Sequence, residues 1–386
     1  MRRFFTRIFD ALSSTWLSIV VLSFLLLLTV VGTLEQTRTS LYEVQRRYFE
    51  SSFVVHDLGG IPVPLPGVYL LLILLAINLV CGGILRIRKD STTWGVIIAH
   101  VGILVMLGGS MVEYRWSEKG HLSLAEGSEA AEFTSYYEWE IAIAEARDRG
   151  PVTELVITGD RFMQLAKGKT ARFTSPDIPF DLVVQRVFPN CEPKPAESGG
   201  SPGVDGIALV EMAPEKEAEA DVAGAYVEVR PKSGGAAVPG LLWALERFPM
   251  SVNVDGKRWT IGLSHRRWQL PFSVRLEDFR QQLHPGTGMA KAFESDVTKT
   301  RDGIAQKVKI SMNQPLRESG YTLYQSGFQQ PSTRGGKWRS TFSVVKNPAD
   351  QVPLYSCIVI TAGLLLHFAQ KLLRHMRTQK TMWRRA

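Results

Sequence analysis

Residues 15–34 read TWLSIVVLSFLLLLTVVGTL. The stretch carries no charge, and as a helix rising 1.5 Å per residue it would cover the roughly 30 Å of a hydrocarbon core. A cleaved signal peptide is the rival reading. The apolar run is long for one, and no A-x-A site follows, so the segment reads as an uncleaved anchor. Runs at about 67–85, 94–112 and 352–373 repeat the pattern. Four such runs predict a membrane protein with four transmembrane α-helices.

Basic residues near the ends of these runs give a direction. Arg2, Arg3 and Arg7 precede the first; Arg86, Arg88 and Lys89 lie between the second and third; Lys371, Arg374, Arg377, Lys380, Arg384 and Arg385 follow the fourth. Four helices place all three clusters on one side, and by the bias of Lys and Arg that side is the cytoplasm. The expected layout is a membrane region over 1–112, an outer domain over 113–351, and a fourth helix with a basic cytoplasmic tail over 352–386. Both termini would be cytoplasmic, in a bacterial inner membrane, with the large domain in the periplasm.

Within the loop 35–66, SLYEVQRRYFESSFVV at 40–55 has Leu41, Val44, Tyr48 and Phe49 near helical spacing. It reads as an amphipathic helix on the outer membrane surface, ended by the prolines of IPVPLPG. The segment 113–351 is rich in alternating patterns such as ELVITG, YVEVRP and TFSVV. It predicts an antiparallel β-sandwich or open barrel. PFDLVVQRVF at 179–188 and PFSVRLEDF at 271–279 resemble each other and suggest related β-units. Residues 192–224, rich in Pro, Gly, Ala and Glu, read as a mobile insertion.

Composition and motifs exclude several classes. Hydrophobic residues make up 45% and the net charge is +8. Much of that charge flanks the apolar runs, where topology explains it better than nucleic acid does. The three cysteines, Cys81, Cys191 and Cys357, are scattered singly. This leaves no C-x-x-C, no zinc spacing and no C-x-x-C-H. GKT at 168–170 lacks the first glycine of a phosphate loop, because Met163 stands there. No G-x-S-x-G or H-E-x-x-H occurs. Cys81 and Cys357 read as small buried hydrophobes, and Cys191 as an outer thiol, inert rather than reactive.

Ionisable groups inside apolar runs point to function. His100, in WGVIIAHVGILVMLGG, and His367, in ITAGLLLHFAQK, each fall about two turns from the cytoplasmic end of their run. Imidazole is a good axial ligand for haem iron. On the residues alone, a ligand and a hydrogen-bonded packing role weigh evenly for His100, and packing is favoured for His367. His56, His121, His265, His284 and His375 read as loop, strand or surface residues.

Together these segments resemble the ResB (CcsB) family of system II cytochrome c biogenesis proteins. The match in order is three helices, a large outer domain and a final helix. Gly32 and Thr33 in VVGTLEQ, Asn78 in INLVCGGILRI, and HVGILVMLGG leading to GHLSLAEGS are similar to the family's segments. So are Pro285, Gly286, Thr287, Ser295 and Asp296 in HPGTGMAKAFESDV. The stretch MNQPLRESGYTLYQSGF adds Asn313, Pro315, Leu316, Gly320, Tyr321, Tyr324 and Gln325. The resemblance implies pairing with a ResC/CcsA-type membrane partner, transport of haem b, and support for its attachment to apocytochrome c. The chain would be the non-catalytic or co-catalytic half of that synthase. It implies that His100 is a haem axial ligand, its metal contact running through haem iron, with His367 incidental or accessory. Arg86, Arg88 and Lys89 could attract the propionates but serve equally as topology signals. The rivals are a scaffold subunit that docks apocytochrome without touching haem, and an unrelated transporter or sensor.

Overall fold

The computed structural model describes residues 1–58, 61–90, 92–147, 153–165, 169–196, 203–331, 333 and 335–383. The chain divides into two units, Met1–Ser117 with Asn347–Ala386, and Glu118–Lys346.

The first unit holds four helices long and apolar enough to cross a membrane. Helix α1 is Arg2–Leu12, α2 Thr15–Glu35, α3 Leu41–Val44, α4 Val68–Asn78, α5 Trp94–Trp116 and α6 Val352–Trp383. Helix α4 continues as a π-helical turn, Leu79–Leu85, and α5 runs past the expected end at 112. Helix α1, not foreseen, is separated from α2 by Ser14, which is extended and caps α2 by accepting from the Trp16 amide at 3.2 Å.

Small residues bring α5 and α6 together in antiparallel register. A Cβ at Gly95 would meet Gly363 O at 2.6 Å, one at Gly363 would meet Ala99 N at 2.6 Å, and one at Gly102 would meet Ile360 Cγ1 at 2.7 Å. With no hydrophobic drive between helices in lipid, this close backbone contact is what holds such a pair.

The loop 35–66 departs from expectation. Only α3 and a π turn at Gln45–Phe49 are helical; strands β1, Phe53–Leu58, and β2, Ile61–Pro66, then form a hairpin. Val44 and Tyr48 are buried with Val21, Leu28, Val68 and Leu71, and Phe49 packs against them, so this part of the apolar stripe faces the bundle, while Leu41 is exposed. The prolines do not break the chain. Pro62, Pro64 and Pro66 alternate along β2, so all three face the unpaired edge, where no donor is needed. Gly67 N, on the other parity, donates to Ser52 O at 2.8 Å.

The second unit is antiparallel throughout its paired strands. Its strands are β3 Glu118–Ala125, β4 Glu129–Glu145, β5 Glu154–Thr158, β6 Ala171–Phe173, β7 Phe180–Phe188, β8 Cys191–Pro195, β9 Ile207–Glu211, β10 Gly224–Pro231, β11 Val238–Trp243, β12 Met250–Val254, β13 Lys257–Leu283, β14 Ala290–Arg301, β15 Ile304–Ser311, β16 Leu316–Glu318, β17 Tyr321–Gln329 and β18 Arg339–Lys346. A ten-stranded sheet follows the path β15-β14-β13-β4-β3-β18-β17-β16, with β12 and β5 at its side; a four-stranded sheet runs β11-β10-β7-β6.

Two cores result. The first packs Trp139, Ile141, Ile261 and Leu263 of the large sheet on Phe180, Leu182, Val227 and Val229 of the small one. The second gathers Leu122, Phe133, Leu276, Leu323 and Phe342. Truncating Phe180 or Phe342, neither exposed, to Ala should cost about 3–5 kcal/mol. Strand β13 serves both cores. Its odd residues Trp259, Ile261 and Leu263 enter the first, and its even residues Leu270, Phe272, Val274 and Leu276 the second. Alternate residues point to opposite faces, so the strand changes the face it buries along its length. The two Pro-Phe stretches lie in different sheets, in β7 and β13.

Residues 192–224 are not uniformly irregular. Strands β8 and β9 form a hairpin, and Leu209 N donates to the Tyr226 hydroxyl at 2.7 Å. Cys191 and Leu209 are buried against Phe188, and that apolar contact fixes a segment whose composition suggested mobility. The expected insertion's residues 197–202 lie outside the described residues.

Candidate functional site

His100 lies about two turns into α5, half-buried. Its Nδ1 is 3.1 Å from Gly83 O. A carbonyl only accepts, so Nδ1 carries the proton and donates, and the lone pair is left on Nε2. Metal-ligating imidazoles are commonly oriented this way, with the second nitrogen bonded to a backbone carbonyl.

The local fold explains why that carbonyl is free. Gly83 stands in the last turn of a helix, where carbonyls lack intrahelical partners. The turn closes with π spacing, Arg86 N donating to Cys81 O at 2.9 Å. Gly83 has no alternative, because a Cβ there would overlap the His100 ring. Its neighbour Gly82 is also tight, its Cβ position 3.0 Å from Ser13 O.

Asn78, 4% exposed, holds this turn to the α1–α2 elbow. Its amide donates to Leu12 O at 2.7 Å and Ser14 O at 3.0 Å, and its carbonyl accepts from Ser18 Oγ at 2.6 Å. Arg86 donates to Ser13 Oγ at 2.7 Å and lies 3.7 Å from Asp10. Arg86 is therefore committed to the elbow, while Arg88 and Lys89 are exposed.

His367 is not brought to the same place. Its backbone lies against Gly95, five residues before His100 on α5, or about 7 Å along the axis. The two histidines do not share one depth. His367 Nδ1 is buried without a partner.

Other histidines hold more structure than their sequence suggested. Tyr48 hydroxyl and His56 Nδ1 are 2.6 Å apart. In the second unit His265 stacks on Trp139, ring centres 3.8 Å apart, and His121 lies beside Tyr136 at 5.3 Å. Both Nδ1 atoms are buried and unpartnered. Burial pushes both imidazoles down, His265 to about 4, with the neighbouring His121 adding to the cost of charging it. A large bulge makes the space: Ser135, Tyr136, Tyr137 and Glu138 of β4 stand opposite Arg266 alone. Ser135 Oγ ties it by accepting from Glu138 N at 3.1 Å. Nothing in the spacing of the sequence could reveal this pair, which long-range register brings together. His284 and His375 are exposed.

Burial pushes the Cys191 thiol up to about 12, so it is inert at neutral pH. Cys81 is half-buried and Cys357 is exposed on α6 rather than buried, as a lipid-facing position allows. Among the described residues no group of three His, Cys, Asp or Glu could hold a metal ion.

The motif residues of the β domain serve its architecture. Ser295 and Ser340, unexposed, bond each other at 2.9 Å and share the Gln325 amide oxygen. Asp296 pairs with Arg280. Ser319 and Gly320, at φ 50° and 82°, make the hairpin turn from β16 to β17, which glycine suits.

The fold defines a four-span membrane protein with a β domain inserted between its third and fourth spans, and among its helices the His100 imidazole is held by a backbone carbonyl. Residues 251–338 match the ResB-like family model; over this stretch, from β12 to the loop before β18, the chain is ResB-like. That match supports a part in cytochrome c biogenesis. Among curated proteins no match is found.

Proposed function

We propose that this chain is the ResB-type subunit of a system II cytochrome c synthase, working with a ResC/CcsA-type partner. The pair carries haem b across the membrane and supports its attachment to apocytochrome c in the periplasm. The observation that carries this reading is the Nδ1–H bond from His100 to Gly83 O. A proton on Nδ1 leaves the lone pair on Nε2, the nitrogen that would ligate in this reading, inside an apolar span. Haem is the cargo, bound through its iron with His100 as one axial ligand and the partner supplying the other. His367 is an accessory candidate at a different depth. The three basic clusters face the cytoplasm in this reading, and haem enters from that side.

The test is an absorption spectrum of the chain co-purified with its ResC-type partner, wild type beside His100→Ala. The expected result is a low-spin haem signal that weakens in the variant and returns with added imidazole. Coincident spectra at equal protein would make His100 a packing residue and leave the chain a scaffold that docks apocytochrome.

A further inference from the structure

The part of the first unit that the proposed function does not use is α1, RRFFTRIFDAL. Its residues sort by helical spacing. Phe4, Phe5, Ile8 and Phe9 share one broad face and are 66%, 65%, 41% and 36% exposed. Arg3, Thr6, Arg7 and Asp10 occupy the other.

Such a helix does not hold itself in water. Eleven residues are too few for an isolated helix. No side chain caps its N-terminus, and no acidic residue stands in its first turn. Arg3 there opposes the helix dipole. Something outside the chain must cover the apolar face and accept the basic one.

Its position says what. Ser14 is extended, so α1 is not the beginning of the α2 rod. The elbow is fixed by Asn78 to Leu12 O and Ser14 O, by Arg86 to Ser13 and Asp10, and by the close approach of Ser13 to Gly82. The membrane-crossing helix α2 starts at Thr15. A helix held at the mouth of a span, with aromatic residues on one face and arginines on the other, matches the headgroup layer of a bilayer. The arginines select anionic phospholipid there.

We infer that α1 lies in the membrane plane, its Phe4/Phe5/Ile8/Phe9 face in the acyl boundary and Arg3 and Arg7 among anionic headgroups. The inference does not depend on haem.

The test uses the full chain in nanodiscs, with Cys81, Cys191 and Cys357 replaced by Ser. A polarity-sensitive dye is attached at Phe5→Cys, at Phe9→Cys, or at Arg7→Cys. Lipids brominated on the upper acyl chain should quench the dye at 5 and 9 at least about twofold more than at 7. Quenching at 5 and 9 should fall when phosphatidylglycerol is replaced by phosphatidylcholine, or when Arg3→Gln and Arg7→Gln are combined. Equal quenching at all three positions would overturn the inference. So would quenching at 5 and 9 that disappears when the ResC-type partner is co-purified, since a protein surface would then cover this face.

Discussion

Lys346 Nζ lies 2.9 Å from Glu118 Oε1, and these are the last and first residues of the β domain. The Tyr321 hydroxyl donates to the other carboxylate oxygen at 3.0 Å. The contact with Glu118 holds the Lys346 ammonium above its ordinary range. Strands β3 and β18 pair from Glu118–Lys346 through Ala125–Arg339, so the domain closes where it opens.

Lys346→Met should therefore destabilise the β domain by about 1 kcal/mol, a partly exposed charged contact being worth no more. Chemical denaturation followed by tryptophan fluorescence measures it. Lys346→Arg should retain most of the stability. A loss equal to that of Met would show that positive charge alone does not suffice and that the placement of the ammonium matters.

Acid should weaken the domain earlier than its carboxylates alone would cause. Free imidazole takes up a proton near 6.5, whereas His265 in the folded domain does so only at about 4. Between these values the unfolded chain binds the extra proton, so stability falls as pH drops through that window. His121, also pushed down by burial, acts in the same direction. His265→Phe keeps a ring on Trp139 and removes one titration. Its unfolding midpoint should vary less between pH 7 and 5 than the wild type's.

Glu318 is held at about 2 by Lys299 first, then Arg301 and Ser319. Its contribution is present above the ordinary carboxylate value of 4.5 and is lost as pH falls toward 2. Glu318→Gln should lower the midpoint at pH 7, and the gap from wild type should close by pH 2. A gap independent of pH would assign the effect to packing.

Gly83→Val should reproduce the spectral loss of His100→Ala in the co-purified complex, because its side chain takes the space of the ring. Added imidazole should restore less signal than it does in His100→Ala, since the native ring remains in the way. An unchanged spectrum would detach Gly83 from the ligand role.

What the sequence made legible follows from range. Uncharged runs announce spans because one helix satisfies its own backbone, and α2, α4, α5 and α6 lie where hydropathy puts them. His100 stood out because an imidazole is costly in that setting. Its partner Gly83 did not, although the Gly82-Gly83 pair was a signal that some group needed room. Arg3 and Arg7 read as topology markers and hid the amphipathic spacing of α1. The β1–β2 hairpin was lost because prolines were read as breakers, when their alternation marks an edge. The His121–His265 pair depends on β3, β4 and β13 meeting, information that no local window holds.

Strand β13 has a consequence for how the domain comes apart. A strand shared by two cores leaves no seam along which half the domain could open while the other half stays folded. Loosening Ile261 in one core should loosen Leu276 in the other, and unfolding should proceed as a single cooperative event. A protease acting on rare openings would then meet either the intact domain or the whole unravelled chain, with no trimmed half surviving between them.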